Sequence, residues 1–257
     1  MMFRTILKKL LGNLSKWAIR KHDVRLFVVA GWRGTEISRE LAYQVLGSKF
    51  VVRRMVKNVW WDFSVPLAIL GYEDHKRNTF AWIWLLFKAT VRLIMFRGNP
   101  HILILNINYS DTETAKYWAS FVKPEILLVP TFIESLPFLL KIAKITHFAG
   151  GKIICDYRDL EKMQAIIGSN AKVFTFGQGS GDLEFKDFDS KTLMFSYKQK
   201  KYKVKKSLFT GIKPELIASC ISIGIVNDVP IMEALYALVK FQMPSRMLQN
   251  IKRDLHS

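Results

Sequence analysis

The chain has 257 residues but only two cysteines, Cys155 and Cys220, far apart and with no second pair beside them. Neither a disulfide framework nor a cysteine-rich zinc site is on offer, and a reducing, cytosolic compartment suits that usage. The histidines (His22, His75, His101, His147 and His256) never fall at the spacing that sets two ligands on one helix face, so no metal cluster is expected. Acidic residues are scarce as well. Against 39 Lys and Arg stand 21 Asp and Glu, a net charge of +18 that implies an anionic partner. Internal repeats and low-complexity linkers are missing too. With 50% apolar and 23% charged residues, the composition excludes disorder, collagen-like repeats and coiled coil, and the length suits one large domain or two small ones.

Two segments raise the question of a membrane. In residues 1–22, Phe3, Ile6, Leu7, Leu10, Leu14, Trp17 and Ala18 recur at helical spacing, with Arg4, Lys8, Lys9, Lys16, Arg20 and Lys21 on the remaining faces. This reads as a basic amphipathic helix. It does not read as a signal peptide, because charge recurs inside it and no small-residue cleavage site follows. The second segment, Thr79 to Phe96, approaches a membrane-spanning length but carries Lys88 and Arg92. Each such charge at mid-bilayer costs roughly 2.5–3.5 kcal/mol, so an interfacial or core-packed helix is preferred to a span. For both segments two readings stay open: a stripe packed on the domain's own sheet, or attachment to the anionic cytoplasmic leaflet, where each Lys or Arg contributes about 1 kcal/mol.

From Val24 the texture is that of an α/β domain. Val24 to Ala30 is a short apolar run rich in β-branched residues, Gly31 to Thr35 a turn, and Ser38 to Gly47 a helix closed by glycine. Further strands are expected at Phe50–Arg53, His101–Leu105, Ile126–Val129, Gly151–Cys155 and Lys172–Phe176, with helices at Asp111–Phe121, Leu136–Phe148 and Leu160–Ile167 between them. This alternation argues for a mostly parallel sheet with helices on both faces. Near 183–210 the pattern changes to a small antiparallel β subregion, with Leu193–Tyr197 and Tyr202–Phe209 joined through a lysine-rich turn. Lys198, Lys200 and Lys201 there are either an anion-binding surface or the solvated charges of a protected edge strand. Helices at Pro214–Val226 and Pro230–Gln242 and a basic tail close the chain.

Strand, Gly31-x-x-Gly34 and helix form half of a phosphate loop, a weak signal by itself. The blocks that follow are more specific. Ser48 to Arg54, Lys57-Asn58 and Val65 to Gly71, then Ile102 to Leu105, Lys123 to Pro130, Lys172 to Gly177, Gly211 to Leu235 and Phe241 to Met247 resemble, in order, the central ATPase domain of the Mur ligases. Within that family the resemblance points to the ligases that add D-alanyl-D-alanine to the peptidoglycan precursor through an acyl phosphate. It implies a P-loop-like α/β central domain over 23–247, preceded by the helix of 1–22 and followed by the tail of 248–257, without the family's N- and C-terminal domains. It also implies ATP and magnesium as cofactors.

The residues that would hold those cofactors are replaced. In the degenerate phosphate loop Gly31-Trp32-Arg33-Gly34-Thr35-Glu36, Thr35 stands at the family's lysine and Glu36 at its magnesium-binding hydroxyl. The catalytic glutamate falls at Asn106 and the metal-binding histidine near Leu136. The adenine-contacting positions fall on Cys155 to Arg158, and the His-Asn pair on Ile212 and Lys213. Gly31, Gly34 and Arg246 remain. Positions that need a small backbone or apolar packing are kept, while those that need charge and metal chemistry are changed. The leading expectation is therefore a pseudoenzyme without cofactors, acting as a binding or scaffold module, cytoplasmic and peripheral on the membrane near the cell-wall enzymes. The alternative is a residual ATP- and magnesium-dependent ligase or nucleotidase that uses Gly31, Gly34 and Arg246 with a partner, and to which Arg33, Lys49, Arg53 and Arg54 add charge. A nucleic-acid-binding protein comes third, since no nucleic-acid module is recognisable.

Overall fold

The computed structural model describes residues 2–31, 34–56, 62–72, 78–95, 101–107, 111–132 and 137–241. In chain order the elements are α1 (Met2–His22), β1 (Arg25–Ala30), α2 (Thr35–Gly47), β2 (Val52–Arg54), α3 (Ser64–Leu70), α4 (Thr79–Met95), β3 (Ile102–Ile107), α5 (Thr112–Ala119) and β4 (Ile126–Val129). They continue with α6 (Pro137–Phe148), β5 (Lys152–Asp156), α7 (Leu160–Ile167), β6 (Val173–Gln178), β7 (Leu183–Asp187), β8 (Thr192–Tyr197), β9 (Lys200–Lys205), α8 (Pro214–Val226) and α9 (Ile231–Val239).

The strands form one sheet in the order β2-β3-β1-β4-β5-β6-β7-β8-β9. Pairing is parallel from β2 through β7 and antiparallel for β7–β8 and β8–β9, so the mostly parallel sheet with an antiparallel end is as the sequence implies. The central strands are apolar at nearly every position because both faces are covered. Leu26 and Val28 of β1 join Leu103, Leu105, Leu127 and Val129 against α1, α3, α4, α5 and α6. Phe27 and Val29, with Ile104, Leu128 and Ile154, face α2, α8 and α9. At the far edge, β9 alternates half-buried Tyr202 and Val204 with exposed Lys201, Lys203 and Lys205. Lys198 sits in the two-residue turn that joins β8 to β9, where it and Gln199 take positive φ (47° and 66°).

Two elements, α3 and β7, are not anticipated from the sequence. β7 has only Leu183 and Phe185 turned inward, too short an alternation to stand out. α1 packs an inner stripe, Leu7, Leu11 and Ala18, into the same core as α3 to α6. Polar contacts fix its position. Asp62, just before α3, accepts from Arg4 at 2.7 Å and Thr114 at 2.5 Å and pairs with Lys8 at 2.6 Å. The Tyr117 hydroxyl donates to the Lys8 carbonyl at 2.7 Å, and the Lys21 ammonium donates to the Leu93 and Ile94 carbonyls at the end of α4.

Burial by itself would raise the Asp62 carboxyl, but the hydrogen bonds from Lys8, Thr114 and Arg4 outweigh it and hold the group below the ordinary carboxylate range. Its contribution is therefore present above the unfolded carboxylate value and is lost as pH falls through the lower folded one. Asp62→Asn is expected to cost about 1–3 kcal/mol at neutral pH. In urea unfolding, the gap between wild type and variant should narrow once pH falls below about 4.

Candidate functional site

The carboxyl ends of parallel strands are where α/β sheets place ligands, and the first βα turn is the natural anion site. Here β1 ends at Gly31 with φ 155°, and Gly34 precedes α2 in the left-handed region with φ 76° and ψ −3°. Both glycines are required by geometry. A Cβ on Gly31 would lie 2.8 Å from the Thr131 carbonyl oxygen after β4, and one on Gly34 would lie 2.9 Å from the Leu216 side chain in the first turn of α8. The loop is thus closed from two sides, by the β4 end and by α8. Trp32 and Arg33 between the glycines lie outside the described residues.

α2 starts without a side-chain cap, its first turn opening with the Ser38 N–H donating to the Gly34 carbonyl at 2.8 Å. Thr35 is buried, 2% exposed, and Glu36 is half-buried in the same turn. A carboxylate there meets the positive end of the helix dipole, an arrangement that ordinarily stabilises a helix by about 0.3–1 kcal/mol. α2 is held against α8 along its length: the Cys220 thiol donates to the Ser38 carbonyl at 3.3 Å, and Gly224 faces Val45 so closely that a Cβ there would lie 2.8 Å from its side chain.

The other positions singled out from sequence fall around this turn in part. Asn106 is buried in β3 beside Val29 of β1. Asp156, buried at the end of β5, accepts from the Arg158 backbone N–H and from its guanidinium at 2.9 and 2.7 Å, which closes a local ring. Asp182 accepts from the backbone N–H and the hydroxyl of Thr175 at 2.7 and 3.0 Å. Ile212 and Lys213 directly precede α8. Leu136, Arg246, Asn58 and the tail of 248–257 lie outside the described residues. Neither cysteine offers a nucleophile: burial pushes the Cys155 and Cys220 thiols up to about 12. Among the described residues no group of three or more His, Cys, Asp or Glu is placed to hold a metal ion.

Of the cations expected to add phosphate contacts, Arg33 lies outside the described residues, and Lys49, Arg53 and Arg54 have partners elsewhere. Lys49 donates to the Asp228 carbonyl at 2.8 Å, at the opposite end of the sheet. Arg53 donates to the carbonyls of Ala68 and Ile69 at the end of α3, and its burial beside Arg92 pulls the guanidinium down to about 10. Arg54 pairs with Glu40 at 2.6 Å and lies over the Tyr43 ring at 4.2 Å. Glu40, 4% exposed, also accepts from its neighbour Arg39 at 2.9 and 3.0 Å, so one buried carboxylate holds two guanidiniums and ties α2 to β2 through Arg54. Sequence reasoning missed this cluster, because an adjacent Arg-Glu pair on an amphipathic helix gives no sign of burial.

Comparison with known proteins agrees with this geometry. No family model matches the chain. A UDP-N-acetylmuramoyl-tripeptide–D-alanyl-D-alanine ligase of Borreliella burgdorferi is 26% identical over 198 residues, 72% of this chain and 41% of that protein. Among solved structures, the MurF ligase of Thermotoga maritima, in complex with ADP, superposes with a TM-score of 0.65 at 16% identity, covering 92% of this chain and 53% of that one. A pseudomurein peptide ligase type C of Methanothermus fervidus gives 0.58 at 10% identity, over 87% and 50%. The chain spans about half the length of these relatives or less.

Gly31→Ala is expected to destabilise the protein by more than about 1 kcal/mol, since φ there is positive and backbone blocks the new methyl. Gly47→Ala, where a Cβ meets nothing within 4 Å, should be neutral or stabilising in the same thermal melts. With TM-scores of 0.65 and 0.58 over most of its length, the chain has a Mur ligase-like fold, that of the family's central domain.

Proposed function

We propose that this domain is a non-catalytic relative of the peptidoglycan-precursor ligases that keeps the fold of their central domain as a binding or scaffold module and no longer transfers an acyl phosphate. The observation that carries the reading is the first turn of α2. Transfer of a phosphoryl group rests on electrostatic positioning, with a cation and a metal ion set against the phosphates. Here the turn offers a buried Thr35 and the carboxylate of Glu36. A carboxylate at that point repels a triphosphate and takes up the helix dipole that would otherwise attract it. Magnesium ATP therefore does not suit the residues present.

A second reading has one observation in its favour. Gly31 and Gly34 hold positive φ between β1 and α2, where an anion-binding turn has its glycines, so a weakly bound nucleotide, with Arg246 and a partner supplying the rest, is the alternative. The anionic partner implied by the charge of +18 is a membrane surface or the enzymes of cell-wall synthesis, on the cytoplasmic side. Nucleic acid stays third.

The purified chain should show no magnesium-dependent ATP hydrolysis above a buffer blank, and no thermal shift with millimolar ATP. A shift that Arg246→Ala removes would support the nucleotide-binding alternative. Turnover abolished by Gly34→Asp would overturn the non-catalytic reading.

A further inference from the structure

α1 buries one face and leaves another apolar face open. Leu7, Leu11, Ser15 and Ala18 turn inward, while Phe3, Ile6, Leu10 and Trp17 are 39–47% exposed. At 3.6 residues per turn these four side chains fall within about 60° of arc, between the buried face and a flank carrying Lys9, Lys16 and Arg20. α4 repeats the arrangement. Trp82, Leu85, Ala89 and Leu93 are buried, and Phe80, Ile83, Trp84, Phe87, Ile94 and Met95 are 55–85% exposed. The Trp84 and Phe87 rings stack at 5.5 Å in the open, with the Lys88 ammonium 5.2 Å from the Trp84 ring centre.

The two helices are neighbours. Lys21 lies over the Trp17 ring of α1 and donates to the last carbonyls of α4, pinning the helix ends together. Ten of the eighteen large hydrophobic side chains exposed among the described residues belong to these two helices. Neither helix contains a single Asp or Glu, in a protein where acids are otherwise spread along the chain. Arg4 and Lys8 are taken up by Asp62, but Lys9, Arg20, Lys88 and Arg92 remain exposed. Lys198, Lys200 and Lys201 do not join them, lying at the β9 edge of the sheet, whereas α1 packs over α3 toward the β2 edge.

We infer that the joined outer faces of α1 and α4 are a docking surface for an anionic lipid bilayer, on which the protein rests with its apolar rings in the interface and its cations against the headgroups. Charge decides the occupant. An acid-free apolar face rimmed by Lys and Arg, with tryptophans at the boundary, matches the chemistry of a negatively charged interface. Spanning is excluded for these helices. No described helix is long and apolar enough to cross a membrane, and α4 holds Lys88 and Arg92 within 17 residues. The inference is independent of the nucleotide-loop reading, because neither helix contributes to the turn between β1 and α2.

The test is flotation of the full chain with phosphatidylcholine vesicles made with and without phosphatidylglycerol. Binding should require the anionic lipid. Trp84→Glu with Phe87→Glu should abolish it, and Lys9→Gln, Lys16→Gln and Arg20→Gln together should weaken it on the order of 100-fold, from about fivefold per cation. Met232→Glu with Tyr236→Glu, an exposed pair on α9, should leave it unchanged, and melting curves verify that each variant folds. Equal binding to neutral vesicles, no flotation at all, or a concentration-dependent dimer that the Trp84 and Phe87 changes dissolve would each overturn the proposal. The last result would identify a second copy as the occupant.

Discussion

α2 is wedged between the sheet and α8, and the rest of the site depends on that wedge. Leu216 presses on Gly34 at its start, the Cys220 thiol reaches Ser38 a turn later, and Gly224 lets Val45 come close near its end. Each contact needs a small or apolar residue at a fixed place, and none needs a cation or a metal. Packing of this kind is intolerant of volume change, because interiors are as dense as organic crystals. The placement of Gly31 and Gly34 is therefore set by packing, whatever the chemistry of the residues in the first turn of α2. Glu40 adds a second restraint by tying α2 to β2 through Arg54, and breaking a buried pair of that kind ordinarily costs about 3–5 kcal/mol.

Charge is distributed by the same logic. Cations near the sheet have structural partners: Arg53 at the end of α3, Arg54 on Glu40, Arg158 on Asp156, Arg25 on Glu125. The excess sits on the outer helices and along β9. On β9 the lysines alternate with Tyr202 and Val204 and protect an open strand edge from pairing with another chain. On α1 and α4 the excess accompanies exposed rings instead, a combination that edge protection does not call for.

The fold was legible where the physics is local. β1, β4 and α7 stand where the apolar runs and helical spacing place them, because buried parallel strands and one-sided helices write their period into the sequence. α2 begins at Thr35, earlier than its periodicity suggests, since its first turn belongs to the glycine loop. β7 was missed for want of apolar residues. The loop glycines were legible because positive φ and close approach leave few alternatives to glycine. The Arg39–Glu40–Arg54 cluster and the Asp62 anchor were not, since both join residues remote in sequence through tertiary contacts that no spacing reveals. Lys49, Arg53 and Arg54, which look available for phosphate in the sequence, are committed to carbonyls and a carboxylate.

The central proposal is that Thr35 and Glu36, in the first turn of α2, keep magnesium ATP from binding beside Gly31 and Gly34. Calorimetric titration of magnesium ATP into wild type and into Thr35→Lys with Glu36→Thr tests it directly. The account predicts no heat of binding for wild type and recovered binding, with a Kd of about 100 μM or tighter, near 5.5 kcal/mol, for the double variant. Wild-type binding of magnesium ATP as tight as that of the variant would contradict it.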